Sequence, residues 1–343
     1  MHGATREVFL SLLILVGLAL SCAGRVPRGW LTSRDRTVET CSEHGSDTAS
    51  LTYLGSGGFL LERDDDAILT APFFTNPGIG RVVFGLPLRP DVKRIRAGVD
   101  AYLQGVEAVD AILAGHSHYD HLLDIPYILE EQVREGTIYG NQTMLHLLAP
   151  AVPPDRMEAV NDRACQWIPI GDHGQVMPLE SGHAAHFLGI KLFKGKLTED
   201  RKRLPRSAYG WKEGQSYAFL IDLGRDFRVH YQDAASRPPQ GFPPDTASGR
   251  RVDVAIVTVA SFSQTKRYPD EIIKKLNPRH VVLGHWEDFF RDPTKPPKVV
   301  RGTKLKNFVK RLEAVLSDDA SWTLPKPGVI LEFNVCRAGT PPQ

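Results

Sequence analysis

The spacing of hydrophobic positions separates a polar N-terminal stretch from a long region of alternating elements. Residues 23–50 are polar and lack hydrophobic periodicity, which is typical of a flexible tether. From residue 51 onwards, short apolar runs bounded by turn residues predict strands. The predicted strands are 51–62 with a tight bend at 55–58, 67–72, 108–114, 218–223, 227–231, 252–259 and 280–283.

Two segments between these strands show helical spacing. Residues 124–135 place Ile125, Ile128, Leu129 and Val133 on one face, and residues 269–276 predict a second helix. No linker, repeat or low-complexity segment interrupts the alternation of strands and helices. We therefore predict a single α/β domain over 51–338.

The N-terminus has the features of an export signal. Residues 8–20 are nearly all apolar, but the run is too short to span a bilayer comfortably. Residues 18–22 resemble a bacterial lipobox, which implies that residues 1–22 are a signal peptide and that Cys22 is lipidated. An ordinary secretory signal and an uncleaved anchor are the alternatives. The expected location is the bacterial cell envelope, with Ala23 favouring an outer-membrane lipoprotein that faces the periplasm.

Composition excludes some classes of partner. Hydrophobic residues make up 42% of the 343, enough for a sizeable core, and the formal net charge is only +2, which argues against a nucleic-acid partner. The basic segment 191–206 is interrupted by Glu199 and Asp200, which indicates a solvated loop. We expect this loop to overhang the functional site that the histidine-rich motif described next predicts. An exported compartment permits a disulfide. The pairing among Cys41, Cys165 and Cys336 stays open. The oligomeric state stays open as well.

Four potential metal ligands lie within six residues, directly after the predicted strand 108–114. They are His116, His118, Asp120 and His121. Imidazole and carboxylate groups hold zinc while leaving a position for water. Burying so many titratable groups together without a metal costs several kcal/mol. The run therefore predicts a metal site.

This run matches the HxHxDH signature of the metallo-β-lactamase superfamily, which the chain resembles over about residues 51–335. Ser181-Gly182-His183, Gln232-Asp233 and Gly284-His285-Trp286 follow in the order of that family's later motifs. The resemblance implies a four-layer αββα sandwich. Tyr119 and Trp286 make the chain look most like the branch that contains ascorbate-6-phosphate lactonases and N-acyl-phosphatidylethanolamine phospholipase D.

The resemblance also implies a ligand set for two zinc ions, with Mn²⁺ or Fe as alternatives. The first ion would be held by His116, His118 and His183, the second by Asp120, His121 and His285, with Asp233 bridging the two. Either His183 or His186 fits as the third histidine. The small residues before His183 favour it.

The function implied is a metal-dependent hydrolase in which a bridging hydroxide, oriented by Asp120, attacks a phosphodiester, ester or lactone. The substrate would be a small or lipid-like molecule, and His186, Tyr119 and Trp286 are candidates for contacting it or for supporting a metal ligand. β-Lactam hydrolysis is an alternative that Asp233 disfavours, and a non-catalytic metal- or ligand-binding envelope lipoprotein is another. An apolar substrate wall, or ordinary core, is expected from Phe73, Phe74, Tyr119, Trp286, Phe289 and Phe290.

Overall fold

A computed structural model describes residues 23–39, 47–106, 108–131, 133, 136–186, 189–224, 226–247 and 250–335. The predicted signal peptide with Cys22 lies outside these residues, as do Cys41 and Cys336. Cys165 is exposed. In the described ranges, none of the helices is both long and apolar enough to cross a membrane.

Two β-sheets form the framework, and each has eight strands within the described ranges. The first sheet has the order β2-β16-β3-β4-β5-β6-β7-β8, and the second has the order β1-β15-β14-β13-β12-β11-β10-β9. In chain order the strands are β1 (Leu31–Thr32), β2 (Arg36–Val38), β3 (Thr48–Gly55), β4 (Gly58–Arg63), β5 (Asp66–Thr70), β6 (Ala111–Leu113), β7 (Thr137–Gly140), β8 (Met157–Ala159), β9 (Ile168–Ile170), β10 (Gly174–Ser181), β11 (Ser216–Leu223), β12 (Phe227–Gln232), β13 (Val254–Thr258), β14 (His280–Gly284), β15 (Ser321–Pro325) and β16 (Ile330–Asn334).

The first sheet buries both of its faces, and alternate residues face different cores. On β6, Ala111 and Leu113 join the core shared with the second sheet, whereas Ile112 joins the core beneath the helices. β5 divides in the same way, with Ile68 facing the second sheet and Leu69 facing the helices. This alternation follows from the two-residue period of a strand.

Helices cover the outer faces of the two sheets. Residues of α1, α2, α4 and α5 pack on the first sheet, whereas α6 and α7 pack with the second. The helices pack on the sheets through apolar stripes, and α7 shows this most clearly. Its buried stripe consists of Leu305, Phe308, Val309 and Leu312. The helices are α1 (Ile79–Val83), α2 (Val92–Tyr102), α3 (Tyr119–Leu122), α4 (Ile125–Glu131), α5 (Gln142–Leu148), α6 (Asp270–Leu276) and α7 (Leu305–Glu313).

The layers therefore run helix, sheet, sheet, helix, and the predicted α/β fold class is confirmed. The hairpin turn between β3 and β4 contains the predicted bend, and α4 and α6 lie within the two predicted helical segments. The prediction of a tether over 23–50 is wrong for three segments, namely β1, β2 and the first residues of β3, which begins at Thr48. β1 pairs with β15 and β2 pairs with β16, because backbone groups at a sheet edge can be satisfied without an apolar side-chain pattern.

Strand direction brings the ends of distant strands together. β10 and β12 both run antiparallel to β11, so they point the same way, and β13 and β14 run parallel to β12. The segments that follow β10, β12 and β14 consequently leave the second sheet at the same end of its strands. The loop after β6 of the first sheet meets them there.

Asp124 fastens the segment after β5 to the start of α4. One oxygen of its buried carboxylate accepts the backbone N–H groups of Phe74 and Thr75 at 2.7 and 2.8 Å. The other oxygen accepts the Thr75 hydroxyl at 2.5 Å. The Thr75 hydroxyl oxygen in turn accepts the N–H of Asp91, which precedes α2. One carboxylate thus ties three segments of the chain together.

Replacing Asp124 with Ala should lower the free energy of unfolding by about 3 kcal/mol, because two buried N–H groups lose their acceptor. Asp124→Asn keeps an acceptor oxygen and should cost less. Asp100→Ala, on the exposed face of α2, is the matched control and should stay within about 0.5 kcal/mol of the parent chain. Urea unfolding measures all three, and equal stability of the Asp124→Ala and Asp100→Ala proteins would contradict the role of Asp124.

Candidate metal centre

One set of potential ligands consists of His116, His118 and His183. Their ligand atoms lie within 4.8 Å of one another. His116 and His118 follow β6 across a short loop, and His118 has an extended backbone immediately before α3. His183 comes two residues after β10. The loop before α3 and the segment after a strand of the other sheet therefore converge on one point.

A second set consists of Asp120, His121 and His285, whose ligand atoms also lie within 4.8 Å of one another. Asp120 and His121 belong to α3. His285 directly follows β14 and has a left-handed backbone with φ 47°. Its N–H donates to the carbonyl of Ser56 at 3.0 Å, which fixes this conformation against the turn between β3 and β4.

Asp233 lies between the two sets. Its Oδ1 is 3.2 Å from Nδ1 of His116, and its Oδ2 is 3.5 Å from Nδ1 of His121. The three residues form a third group of converging ligand atoms. The carboxylate therefore faces one histidine of each set, which is the position that a bridging ligand requires.

Two glycines make room for this arrangement. A Cβ at Gly115 would lie 2.4 Å from Oδ1 of Asp233. A Cβ at Gly57 would lie 2.8 Å from the His121 ring. Real Cβ contacts of this length are essentially unknown, so both positions require glycine if Asp233 and His121 keep their places.

Burial keeps the histidines of the first set neutral. Loss of solvent lowers the pKa of His116 to about 3 and lowers the pKa of His118 and His183 as well. The pKa of His121 is lowered to about 3 for the same reason. A neutral imidazole keeps one ring nitrogen free of a proton, which metal binding needs.

Asp120 differs because of its neighbours. Burial alone would raise the pKa of this carboxyl, but His121 and His285 outweigh burial and hold the pKa below its usual value. Its Oδ2 lies 3.5 Å from Nε2 of His285 and 3.6 Å from Nε2 of His121. Burial by itself lowers the pKa of His285, but the hydrogen bond and charge of Asp120 reverse that shift.

Several buried ligand atoms in the described ranges have no hydrogen-bond partner. They are Nε2 of His118, both ring nitrogens of His121, Nδ1 of His285 and Oδ2 of Asp233. Each unsatisfied polar atom costs about 1–3 kcal/mol. Neutral imidazole nitrogens and carboxylate oxygens are ligands that zinc prefers. The residues present therefore fit divalent metal ions in both sets.

The two candidate third histidines have different hydrogen bonds. Nδ1 of His183 donates to the carbonyl of Ala184 at 2.7 Å, which leaves Nε2 free to bind a metal. Nδ1 of His186 instead accepts the N–H of Leu192 at 3.1 Å, so the neutral ring carries its proton on Nε2. The two rings stack with centroids 4.8 Å apart. The structure groups His183, and not His186, with His116 and His118.

A largely apolar pocket opens over the ligands, and its lining corrects part of the predicted wall. Tyr119, Phe289 and Phe290 line it. Phe73 and Phe74 belong to the core beneath the helices instead. Trp286 is fully buried and donates its indole N–H to the Pro325 carbonyl at 2.9 Å. Of the two roles expected for Trp286, contact with substrate is wrong, because the turn at His285 directs the next side chain into the core. Support of a metal ligand stays a prediction.

Sequence reasoning missed two parts of the pocket wall. Ile79 and Val82 of α1 line it, as do Leu192 and Phe193. Leu192 and Phe193 lie within the basic segment predicted to be a solvated loop, where two adjacent large apolar residues were the available signal.

Substituting Gly115 with Ala should displace Asp233 and reduce the metal bound per chain, because the new methyl overlaps the carboxylate. Gly78→Ala is the control, since a Cβ there meets nothing within 4 Å. Elemental analysis of both purified proteins, with thermal melting to check the fold, measures the effect. Full metal content in the Gly115→Ala protein would show that Asp233 does not bind metal from this position.

Known proteins share both the sequence pattern and the fold. The family model described as a beta-lactamase superfamily domain matches residues 73–286. Among proteins of curated function, no match was found.

Solved structures have the same arrangement of sheets and helices. One is Igni18, described as a novel metallo hydrolase from the hyperthermophilic archaeon Ignicoccus hospitalis, at 15% identity and a TM-score of 0.51, covering 84% of this chain and 100% of that chain. Another is the metallo-beta-lactamase fold protein YhfI from Bacillus subtilis, at 15% identity and a TM-score of 0.50, covering 82% of this chain and 98% of that chain. The family match extends over more than half of the sequence and includes every predicted ligand from His116 to His285, and the chain therefore belongs to the β-lactamase superfamily.

Proposed function

We propose that the protein is a hydrolase that works with two divalent metal ions, zinc first with manganese or iron as alternatives, and that it cleaves phosphodiester, ester or lactone bonds. The observation that supports this most directly is the Asp233 carboxylate facing His116 and His121, one histidine of each ligand set. A carboxylate shared by two cations reduces their repulsion, and paired cations are typical of hydrolytic sites.

One ion would be held by His116, His118 and His183, and the other by Asp120, His121 and His285. Asp233 would bind both ions. When bound, such ions supply a water that loses its proton near neutral pH and positive charge that stabilises negative charge developing on the substrate. The histidines reach the site from segments that follow strands of both sheets.

Asp120 orients the attacking water in this proposal. Its carboxylate is almost fully buried and lines the floor of the pocket. Oδ2 lies closest to His121 and His285. An ionised carboxylate at this place accepts a hydrogen bond from water and so orients it.

His186 provides a hydrogen-bond donor toward the substrate. Its ring lines the pocket, and the hydrogen bond from Leu192 places the proton on Nε2. A donor here stabilises an oxygen that gains negative charge as the bond breaks. The apolar wall opposite it favours a substrate with a hydrocarbon group next to the scissile bond.

The purified protein should contain two divalent ions per chain by elemental analysis. Chelation should abolish hydrolysis and zinc should restore it, tested on phosphodiester, ester, lactone, thioester and β-lactam substrates. Two bound ions with no turnover on any member of this panel would instead favour a non-catalytic binding protein. Turnover of the β-lactam alone would contradict the proposed substrate class.

Asp120→Asn should leave the fold intact and lower kcat by roughly 10²–10⁴-fold, because the neutral amide lacks the negative charge that orients the attacking water. Asp100→Asn on the surface is the control and should be unchanged. Steady-state kinetics combined with metal analysis separates loss of the orienting charge from loss of an ion. A kcat near that of the parent protein rules out the role given to Asp120.

His186→Phe should keep both ions and the ring stacking on His183 but lower kcat by roughly 10²-fold, because the donor is lost. His186→Gln retains a donor and should recover part of this loss. The readout is kcat against KM at measured metal content. Equal kcat in the Phe and Gln variants would mean that His186 acts only through packing.

A further inference from the structure

Two large apolar side chains are exposed side by side in the turn that follows α1. Phe84 is 63% exposed and Leu86 is 46% exposed, and Gly85 between them has φ 60°. The only other exposed large hydrophobic residue in the described ranges is Ile330, at 37%. Single apolar residues on a surface are ordinary, but adjacent ones at the tip of a turn indicate a partner.

This apolar tip lies against a strongly basic part of the chain. Residues 81–89 and 191–206 together contain nine Lys or Arg and two acidic residues, a formal charge of +7 in a chain whose total is +2. The two segments are in contact, since the Leu88 N–H donates to the Arg206 carbonyl at 2.8 Å. Of the two acids, Asp200 pairs with His146 at 2.7 Å.

The same segments form a wall of the pocket above the metal ligands. Ile79 and Val82 of α1 line the pocket, while Phe84 and Leu86 continue the chain outward from that helix. From the basic segment, Leu192 and Phe193 also line the pocket, while the Lys and Arg residues at 194–206 are exposed. The apolar tip and the basic surface therefore lie beside the pocket wall.

We propose that residues 79–89 and 191–206 form a docking surface for an anionic lipid bilayer, with Phe84 and Leu86 entering the boundary between headgroups and acyl chains. Two side chains provide far less area than a stable protein–protein interface, which buries about 800 Å² per partner. They suit shallow insertion at a membrane interface, and the surrounding cations complement anionic headgroups.

Docking in this orientation places the pocket beside the lipid. If the proposed hydrolase function holds, the substrate class is then a lipid-like ester or phosphodiester that reaches the pocket from the bilayer. The docking surface itself depends only on the exposed residues and their charge.

The full chain should bind vesicles of phosphatidylcholine with phosphatidylglycerol more tightly than vesicles of phosphatidylcholine alone, and salt should weaken the difference. Phe84→Ser with Leu86→Ser should lower the affinity for the anionic vesicles by roughly ten-fold. Lys202→Glu with Arg203→Glu should remove the preference for anionic vesicles. Ile330→Ser, and Lys306→Glu with Lys310→Glu on α7, are the matched controls and should behave as the parent chain.

A local probe separates this surface from any anchor at the N-terminus. Phe84→Trp should show a blue-shifted fluorescence difference spectrum on adding anionic vesicles, whereas Ile330→Trp should not. An unchanged Phe84→Trp spectrum overturns the proposal, as does unaltered vesicle binding by the serine variant. A change in oligomeric state of the serine variant, measured by sedimentation, would assign the surface to a second copy of the chain instead.

Turnover of a water-soluble substrate should be the same in the serine variant and the parent protein. If the serine variant loses vesicle binding but keeps metal-dependent turnover, the result therefore concerns the docking surface alone. Docking without turnover on any substrate contradicts the hydrolase and leaves the surface supported.

Discussion

The carboxylate of Asp233 packs against Gly115 and faces His116 on one side and His121 on the other. This contact joins the end of β12 in one sheet to the loop after β6 in the other, so the two halves of the sandwich meet at their ligands. The contact buries the Asp233 carboxyl, and burial raises the pKa of this group. In the proposed function, a pair of cations would offset that cost.

His285 shows how the surrounding structure supports the site. Its left-handed backbone is held by the Ser56 carbonyl, and the Ser56 N–H donates to the buried carboxylate of Glu287. The Tyr53 hydroxyl donates to the other oxygen of that carboxylate. Residues from β3, the following turn and the segment after β14 thus fix one ligand, and Asp124 fixes the segment after β5 in a comparable way.

Half of the sixteen described strands, β3 to β6 and β11 to β14, could be predicted because burial on one or both faces leaves a clear period along the chain, whereas β7 to β10, β15 and β16 were not predicted. β6 among these strands and α4 among the helices are examples, with Ile112 and Ile128 fully buried. β1 and β2 could not be predicted, since edge strands are held by backbone hydrogen bonds that leave no side-chain pattern. α7 was missed although Leu305 and Phe308 begin a helical stripe, because only the sheet beneath it shows that the stripe has a surface to cover.

For the site, the sequence alone predicted the ligand types, because four metal-binding side chains within six residues rarely occur together except around a metal ion. The resemblance to the metallo-β-lactamase superfamily implied Asp233 as the residue between the two ligand sets. Only the tertiary structure distinguishes His183 from His186, because the distinction depends on the hydrogen bond that each ring makes with the backbone. Nδ1 of His183 donates to the Ala184 carbonyl, whereas Nδ1 of His186 accepts the Leu192 N–H. The tertiary structure likewise turned Trp286 into the core and brought Phe193 into the pocket, since side-chain direction at a turn depends on backbone dihedral angles that a linear pattern does not contain.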